Sequence, residues 1–79
     1  MAGQYQPDQI RAQLHDAFYG ALIDKIRADR YPSSTMMDMI EAGMEGHELQ
    51  EYVGALLQKV EADRFPSVNM LRRIQNLLD

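Results

Sequence analysis

Apolar residues recur with helical spacing along most of the chain. One stripe in the first half and one in the second follow the i, i+3, i+4 pattern of a single helix face: Ile10, Leu14, Ala17, Phe18, Ala21, Leu22 and Ile26, with Ile23 at the edge, and then Leu49, Tyr52, Val53, Leu56, Leu57 and Val60. Two shorter runs have the same spacing: Met36, Met37, Ile40 and Met44, and Met70, Leu71, Ile74, Leu77 and Leu78. No segment alternates with period two. The pattern therefore predicts an all-α fold of four helices, over about 8–30, 34–44, 47–64 and 68–78.

The sequence also repeats itself with an offset of 34 residues. When residues 15–45 are aligned with 49–79, eleven of 31 positions are identical, whereas unrelated sequences would share about two from average residue usage. The longest shared features are Gly-Ala-Leu and Asp-Arg-aromatic-Pro-Ser. We therefore interpret 1–79 as a single domain, with 15–45 as copy one, 49–79 as copy two, and 1–6 as a mobile N-terminal tail.

Each copy is predicted to form a helical hairpin, with a long helix, the Asp-Arg-aromatic-Pro-Ser turn and a short helix. Proline disfavours helix at the residue before it, so we expect Tyr31 and Phe65 to end the long helices and to fold into the angle between helices. Arg30 and Arg64 would then lie in the last turn, where a cation meets free carbonyl groups. The next helix would be capped by Ser67 in copy two, and in copy one by Ser33, Ser34 or Thr35.

The relation between the hairpins follows from their apolar stripes, which neither hairpin can bury alone. We expect the two to pack face to face about an approximate two-fold axis, or to pair between chains in a swapped dimer. The 34-residue period matches that of tetratricopeptide repeats, but the small and aromatic positions of that family fall on Asp24, Arg27, Gln58 and Glu61. Two copies are also fewer than the roughly three that a solenoid needs.

Charge and targeting signals limit the possible functions. The chain has 8 basic and 12 acidic residues, a net charge of −4, which argues against nucleic-acid binding because such proteins usually present a basic patch. No apolar stretch is long enough to cross a membrane, and residues 1–9 do not resemble a secretory signal. The chain contains no cysteine. We expect a cytoplasmic protein that does not engage a membrane.

Few residues suggest catalysis or metal binding. His15 and His47 each precede an acidic residue, but neighbours in a helix point in different directions, so neither dipeptide makes a metal-binding face. We expect His15 to be solvated, His47 to lie near a helix start, and the carboxylates to occupy polar faces. The sequence thus predicts no catalytic residue, metal or cofactor, and no enzymatic activity.

The remaining candidates are residues suited to binding a protein. Arginine and aromatic residues are common at the centres of interfaces, and methionine at adaptable binding surfaces. The candidate partner-binding residues are Arg30, Tyr31, Met39, Arg64, Phe65, Arg72 and Arg73. We predict a non-enzymatic protein-interaction module that self-associates, for example as a homodimer, or docks on a protein partner.

Two alternatives stay open. The first is a small DNA-binding transcriptional regulator that uses Arg72, Arg73, Gln75 and Asn76 on the last helix, although copy one has Asp38 where copy two has Arg72. The second is a ligand-binding or accessory subunit of a larger complex, with a pocket between the hairpins.

Overall fold

The computed structural model describes residues 7–79, which form four α-helices: α1 (Pro7–Ala28), α2 (Ser34–Gly43), α3 (Gly46–Ala62) and α4 (Val68–Leu78). No strand occurs in this part of the chain. The predicted all-α fold of four helices is confirmed. The tail predicted over 1–6 lies outside the described residues.

The two long helices end earlier than predicted, at Ala28 and Ala62. Asp63 is already extended, with φ −89° and ψ 135°, so the chain leaves the helix before the residue that precedes proline. The prediction that Arg30 and Arg64 lie in the last helical turn was therefore wrong. The last turns carry Lys25, Arg27 and Lys59 instead, and these cations lie near the free carbonyl groups.

The two short helices begin with the same cap. The Ser33 hydroxyl accepts a hydrogen bond from the Met36 amide at 3.3 Å, and the Ser67 hydroxyl accepts one from the Met70 amide at 3.4 Å. Both serines are extended, as an N-cap requires. Of the three cap candidates in copy one, the structure selects Ser33.

The long helices α1 and α3 lie side by side. Only Met44 and Glu45 separate α2 from α3. His15 lies beside Glu48, and the Arg27 carbonyl accepts a hydrogen bond from Lys59 at 2.7 Å, so α1 and α3 run in the same direction. Helix α2 packs on α1, and α4 packs on α3.

The core lies between these helices. Its buried apolar residues are Ile23, Ile26, Met37, Ile40, Tyr52, Ala55, Leu56, Met70 and Ile74. The stripe predicted on α1 is only partly buried, since Leu14 and Phe18 are exposed, whereas Ile23, predicted at its edge, is fully buried. The buried side of α1 is therefore rotated away from the stripe that its periodicity indicates.

The predicted two-fold symmetry between the copies is not confirmed. Equivalent positions differ in exposure: Phe18 is 48% exposed and Tyr52 0%, while Ile23 is 0% exposed and Leu57 42%. No helix among the described residues is both long and apolar enough to cross a membrane.

Candidate functional site

The repeated Arg–aromatic pairs lie in the two turns. Tyr31 is 77% exposed and Phe65 85%, so the prediction that these rings fold between the helices was wrong. Each ring lies instead under the preceding arginine, with guanidinium-to-centroid distances of 5.5 Å for Arg30 and 5.9 Å for Arg64. The early helix end turns the rings towards solvent, where the cation covers one face of each.

The two turns are neighbours at one end of the bundle. A cleft of about 190 Å³ is lined by Arg30, Tyr31, Asp63, Arg64 and Phe65. Four of the seven candidate residues from the sequence are thus brought together. The cleft presents two guanidinium groups and two exposed rings, and Asp63 also lines it, a composition that suits a small contact with a partner's side chains.

Arg73, another candidate, is engaged within the chain. Its guanidinium donates to Glu41 at 2.7 Å and lies 2.8 Å from Asp38, and only 12% of its side chain is exposed. The Tyr52 hydroxyl donates to the same Glu41 carboxylate. This network joins α4 and α3 to α2.

The network raises the pKa values of Tyr52 and Arg73. Burial, reinforced by the hydrogen bond to Glu41, raises the pKa of Tyr52. Burial opposes the charge on Arg73, but hydrogen bonds to Glu41 and Asp38 outweigh it and raise the pKa of this guanidinium. Both groups therefore stay protonated near neutral pH, and both donate to Glu41.

Arg72 lines a groove between α3 and α4. The groove, about 540 Å³, is bordered by Leu57, Val68, Leu71, Arg72, Ile74, Gln75 and Leu78. Four of these apolar residues, Leu57, Val68, Leu71 and Leu78, are exposed. Leu57, Leu71 and Leu78 belong to the apolar stripes that we expected the hairpins to bury, because periodicity marks a helix face as apolar without saying whether anything covers it.

A second apolar surface lies on α1 and α2. Ile10, Leu14 and Phe18 are exposed along α1, and Met39 is exposed on α2. The sequence singled out Met39 but not the α1 residues, which were also predicted as core. The described chain therefore presents apolar surface on both copies.

A histidine–carboxylate cluster links α1 to α3. His15 Nε2 lies 2.8 Å from Glu48 Oε1, and His47 Nε2 lies 3.1 Å from Asp16 Oδ1. The two dipeptides thus pair crosswise between helices, a contact that within-helix spacing could not reveal. The prediction of a solvated His15 was wrong, since its side chain is 22% exposed, and Glu48, predicted on a polar face, is buried.

The oxygens of Glu48 differ in their partners. Oε1 also accepts from the Glu45 amide at 2.9 Å, at the start of α3, whereas the buried Oε2 has no hydrogen-bond partner. His47 Nε2 is 3.5 Å from that oxygen. The hydrogen bond to Asp16, with the nearby charges of Glu48 and Glu45, raises the pKa of His47.

Comparison with protein-family models, curated proteins and solved structures found no significant match to this chain.

Proposed function

We propose that the protein is a non-enzymatic interaction module whose chains associate head to tail. Two surfaces, one from each copy, meet at the junction between the copies. The observation that carries this proposal is that the equivalent surface on the other copy is exposed in each case. Those two free surfaces are apolar and exposed.

The inner junction has one side from each copy. Copy one contributes Ile23, Met37, Asp38 and Glu41. Copy two contributes Tyr52, Ala55 and Arg73, together with Glu48 directly before it. Adding 34 to the first set gives the free front surface of copy two: Leu57, Leu71, Arg72 and Gln75. Subtracting 34 from the second set gives the free back surface, which consists of Leu14, directly before copy one, and of Phe18, Ala21 and Met39 within it.

The pattern of burial favours translational stacking of the copies over a two-fold axis. A two-fold axis would bury equivalent residues equally on both copies. Instead, Met37 is 2% exposed and its equivalent Leu71 42%, while Ala55 is buried and Ala21 exposed. Each copy therefore uses a different face at the inner junction, which is a heterologous contact that leaves one free face at each end.

The groove on copy two has a fitting occupant in a second chain. At the inner junction Tyr52 is fully buried, and its hydroxyl reaches Glu41. The equivalent of Tyr52 is Phe18, and the equivalent of Glu41 is Gln75, which lines the groove. Phe18 of a second chain would thus bury its ring in the groove without needing a hydroxyl partner.

Charge is compatible with this contact. Arg73 and Asp38 form an ion pair at the inner junction. At the contact between chains, the equivalent residues Met39 and Arg72 would face each other, so no two like charges would meet there. Lys59, which donates to the Arg27 carbonyl, corresponds to Lys25, and Arg27 corresponds to Glu61. Lys25 of one chain would then lie near Glu61 of the next, a favourable pair.

Association would also give the repeats a longer continuous core than the two copies of one chain can form. Stacked repeats become stable when about three or more share a continuous core, and two chains joined in this way provide four. We infer that the Arg–aromatic cleft, which lies outside both surfaces, remains available to a protein partner in such an assembly.

Complementary variants test the proposal. Phe18→Glu disables the back surface and Leu71→Glu the front surface, so each variant alone should be monomeric by sedimentation velocity at concentrations where the wild type associates. An equimolar mixture should form a 1:1 heterodimer, because each variant keeps the surface that the other lacks. Gln58→Glu, an exposed position outside both surfaces, is the matched control and should associate like the wild type.

Two results would contradict head-to-tail association. One is a wild type that stays monomeric at high concentration. The other is a mixture of the variants that stays monomeric, which would indicate an isologous contact in which both surfaces are needed on each chain.

A further inference from the structure

The cluster that joins α1 to α3 has the composition of a metal site. His15, Asp16 and Glu48 each offer a ligand atom, and these atoms lie within 4.8 Å of one another. His47 Nε2 approaches the same group, 3.1 Å from Asp16 and 3.5 Å from Glu48. We propose that His15, Asp16 and Glu48 bind one divalent transition-metal ion, with zinc as the representative ion, and that the neighbouring His47 joins them as the fourth ligand when the ion binds.

The buried oxygen of Glu48 points to a ligand independently of this clustering. Oε2 is excluded from solvent and has no hydrogen-bond partner among the described residues. A buried carboxylate oxygen without a partner is costly, and such groups usually pair or coordinate a metal. An ion bound beside His47 would satisfy this oxygen directly.

To surround an ion, the ligand atoms of His15, Asp16 and Glu48 would draw closer together and His47 would move to join them. Zinc–nitrogen and zinc–oxygen bonds of about 2.1 Å at a tetrahedral centre place the ligand atoms about 3.4 Å apart. Each histidine nitrogen already lies 2.8–3.1 Å from a carboxylate oxygen. In those pairs a proton lies between nitrogen and oxygen. A metal ion on Nε2 would take its place, and the proton would move to Nδ1 of a neutral imidazole or leave a protonated imidazole for solvent.

The donor types favour a transition metal over calcium or magnesium. Two imidazole nitrogens and two carboxylate oxygens suit zinc, whereas calcium and magnesium prefer sites made only of oxygen. Glu45 Oε1, 3.9 Å from His15 Nε2, adds a third negative charge nearby. The surplus of carboxylates over imidazoles also favours a cation.

The cluster is not a by-product of the repeat. In copy two, the equivalents of His15 and Asp16 are Leu49 and Gln50. His47 and Glu48 lie directly before copy two, and the residues 34 positions earlier, directly before copy one, are Gln13 and Leu14. None of the four ligand residues therefore recurs at the equivalent position, and all four lie where α1 meets α3.

Zinc titration of the untagged chain tests this site. Calorimetry, together with elemental analysis after dialysis, should give one zinc ion per chain, and zinc should raise the melting temperature. Asp16→Asn, at an exposed position that leaves the core intact, should weaken zinc binding at least about tenfold. His15→Gln should weaken it as strongly, and Glu51→Gln, which removes an exposed carboxylate elsewhere on α3, should leave binding unchanged.

Circular dichroism of each variant separates loss of ligand from loss of fold, and NMR of the imidazole nitrogens should report zinc on both His15 and His47. The proposal is overturned if the wild type binds no zinc, in which case the cluster is a set of ion pairs between helices. It is also overturned if the folded Asp16→Asn variant binds zinc as the wild type does, or if the stoichiometry is one zinc per two chains. The titration is done on dilute protein, so its outcome is independent of head-to-tail association.

Discussion

Adjacent residues of the same type can have different roles, and Arg72 and Arg73 are the clearest case. Arg72 and Arg73 are adjacent in sequence, yet Arg73 bridges Asp38 and Glu41 while Arg72 lines an open groove. We expect Arg73→Ala to lower the free energy of unfolding by about 1–2 kcal/mol, because it leaves Glu41 and Asp38 with one donor fewer each. Arg72→Ala, measured in the same urea titration of dilute protein, should change it by less than about 0.5 kcal/mol. Equal losses for the two arginines would contradict this assignment.

Two glycines give a second test at the residue scale. A Cβ at Gly43 would overlap the Tyr19 hydroxyl, whereas one at Gly54 would meet nothing. We expect Gly54→Ala to stabilise the protein by about 0.5–1 kcal/mol, since alanine favours helix. Gly43→Ala should instead be destabilising, because the rigid Tyr19 ring must move. Thermal unfolding of both variants measures the difference, and a gain in both would show that Tyr19 moves at no cost.

At the scale of elements, the sequence is a good guide to helix existence and a weaker one to helix ends. The apolar spacing predicts four helices because each has one side that contacts another helix. The helix ends at Ala28 and Ala62 were missed because the restriction from proline acts firmly on one residue, while the turn here needs two more. The serine caps were found, since their chemistry is local.

The cap of α2 gives a prediction at this scale. Ser33 accepts a hydrogen bond from Met36, while Ser34 is the first helical residue. We expect Ser33→Ala, and likewise Ser67→Ala in copy two, to lower the free energy of unfolding by about 1 kcal/mol. Ser34→Ala serves as the control and should change it by no more than a few tenths. Chemical denaturation followed by circular dichroism measures all three, and a larger loss for Ser34→Ala would move the cap by one residue.

At the scale of the whole molecule, the repeat could be found from the sequence but the relation between its copies could not. An apolar stripe states which side of a helix avoids water, and both a two-fold and a translational arrangement satisfy that condition. The difference lies in which positions stay exposed, such as Phe18 and Leu57, and this depends on contacts between residues far apart in sequence. The crosswise pairing of His15 with Glu48 was missed for the same reason.

Head-to-tail association also predicts that one substitution strengthens it. At the inner junction Arg73 meets Asp38, and at the proposed contact between chains Met39 would meet Arg72. Met39→Glu should restore an ion pair with reversed polarity and tighten association about two- to fivefold, and Met39→Lys should weaken it by a similar factor. Sedimentation equilibrium at low salt measures both. Ala42→Glu is the control, because it adds the same charge to α2 at an exposed position. Its equivalent, Asn76, is also exposed and so lies outside the inner junction, and Ala42→Glu should therefore leave the association constant unchanged. If Met39→Glu and Ala42→Glu change association equally, net charge governs it. If only Met39→Glu tightens it, and the gain disappears in an Arg72→Ala background, the two residues meet across the contact.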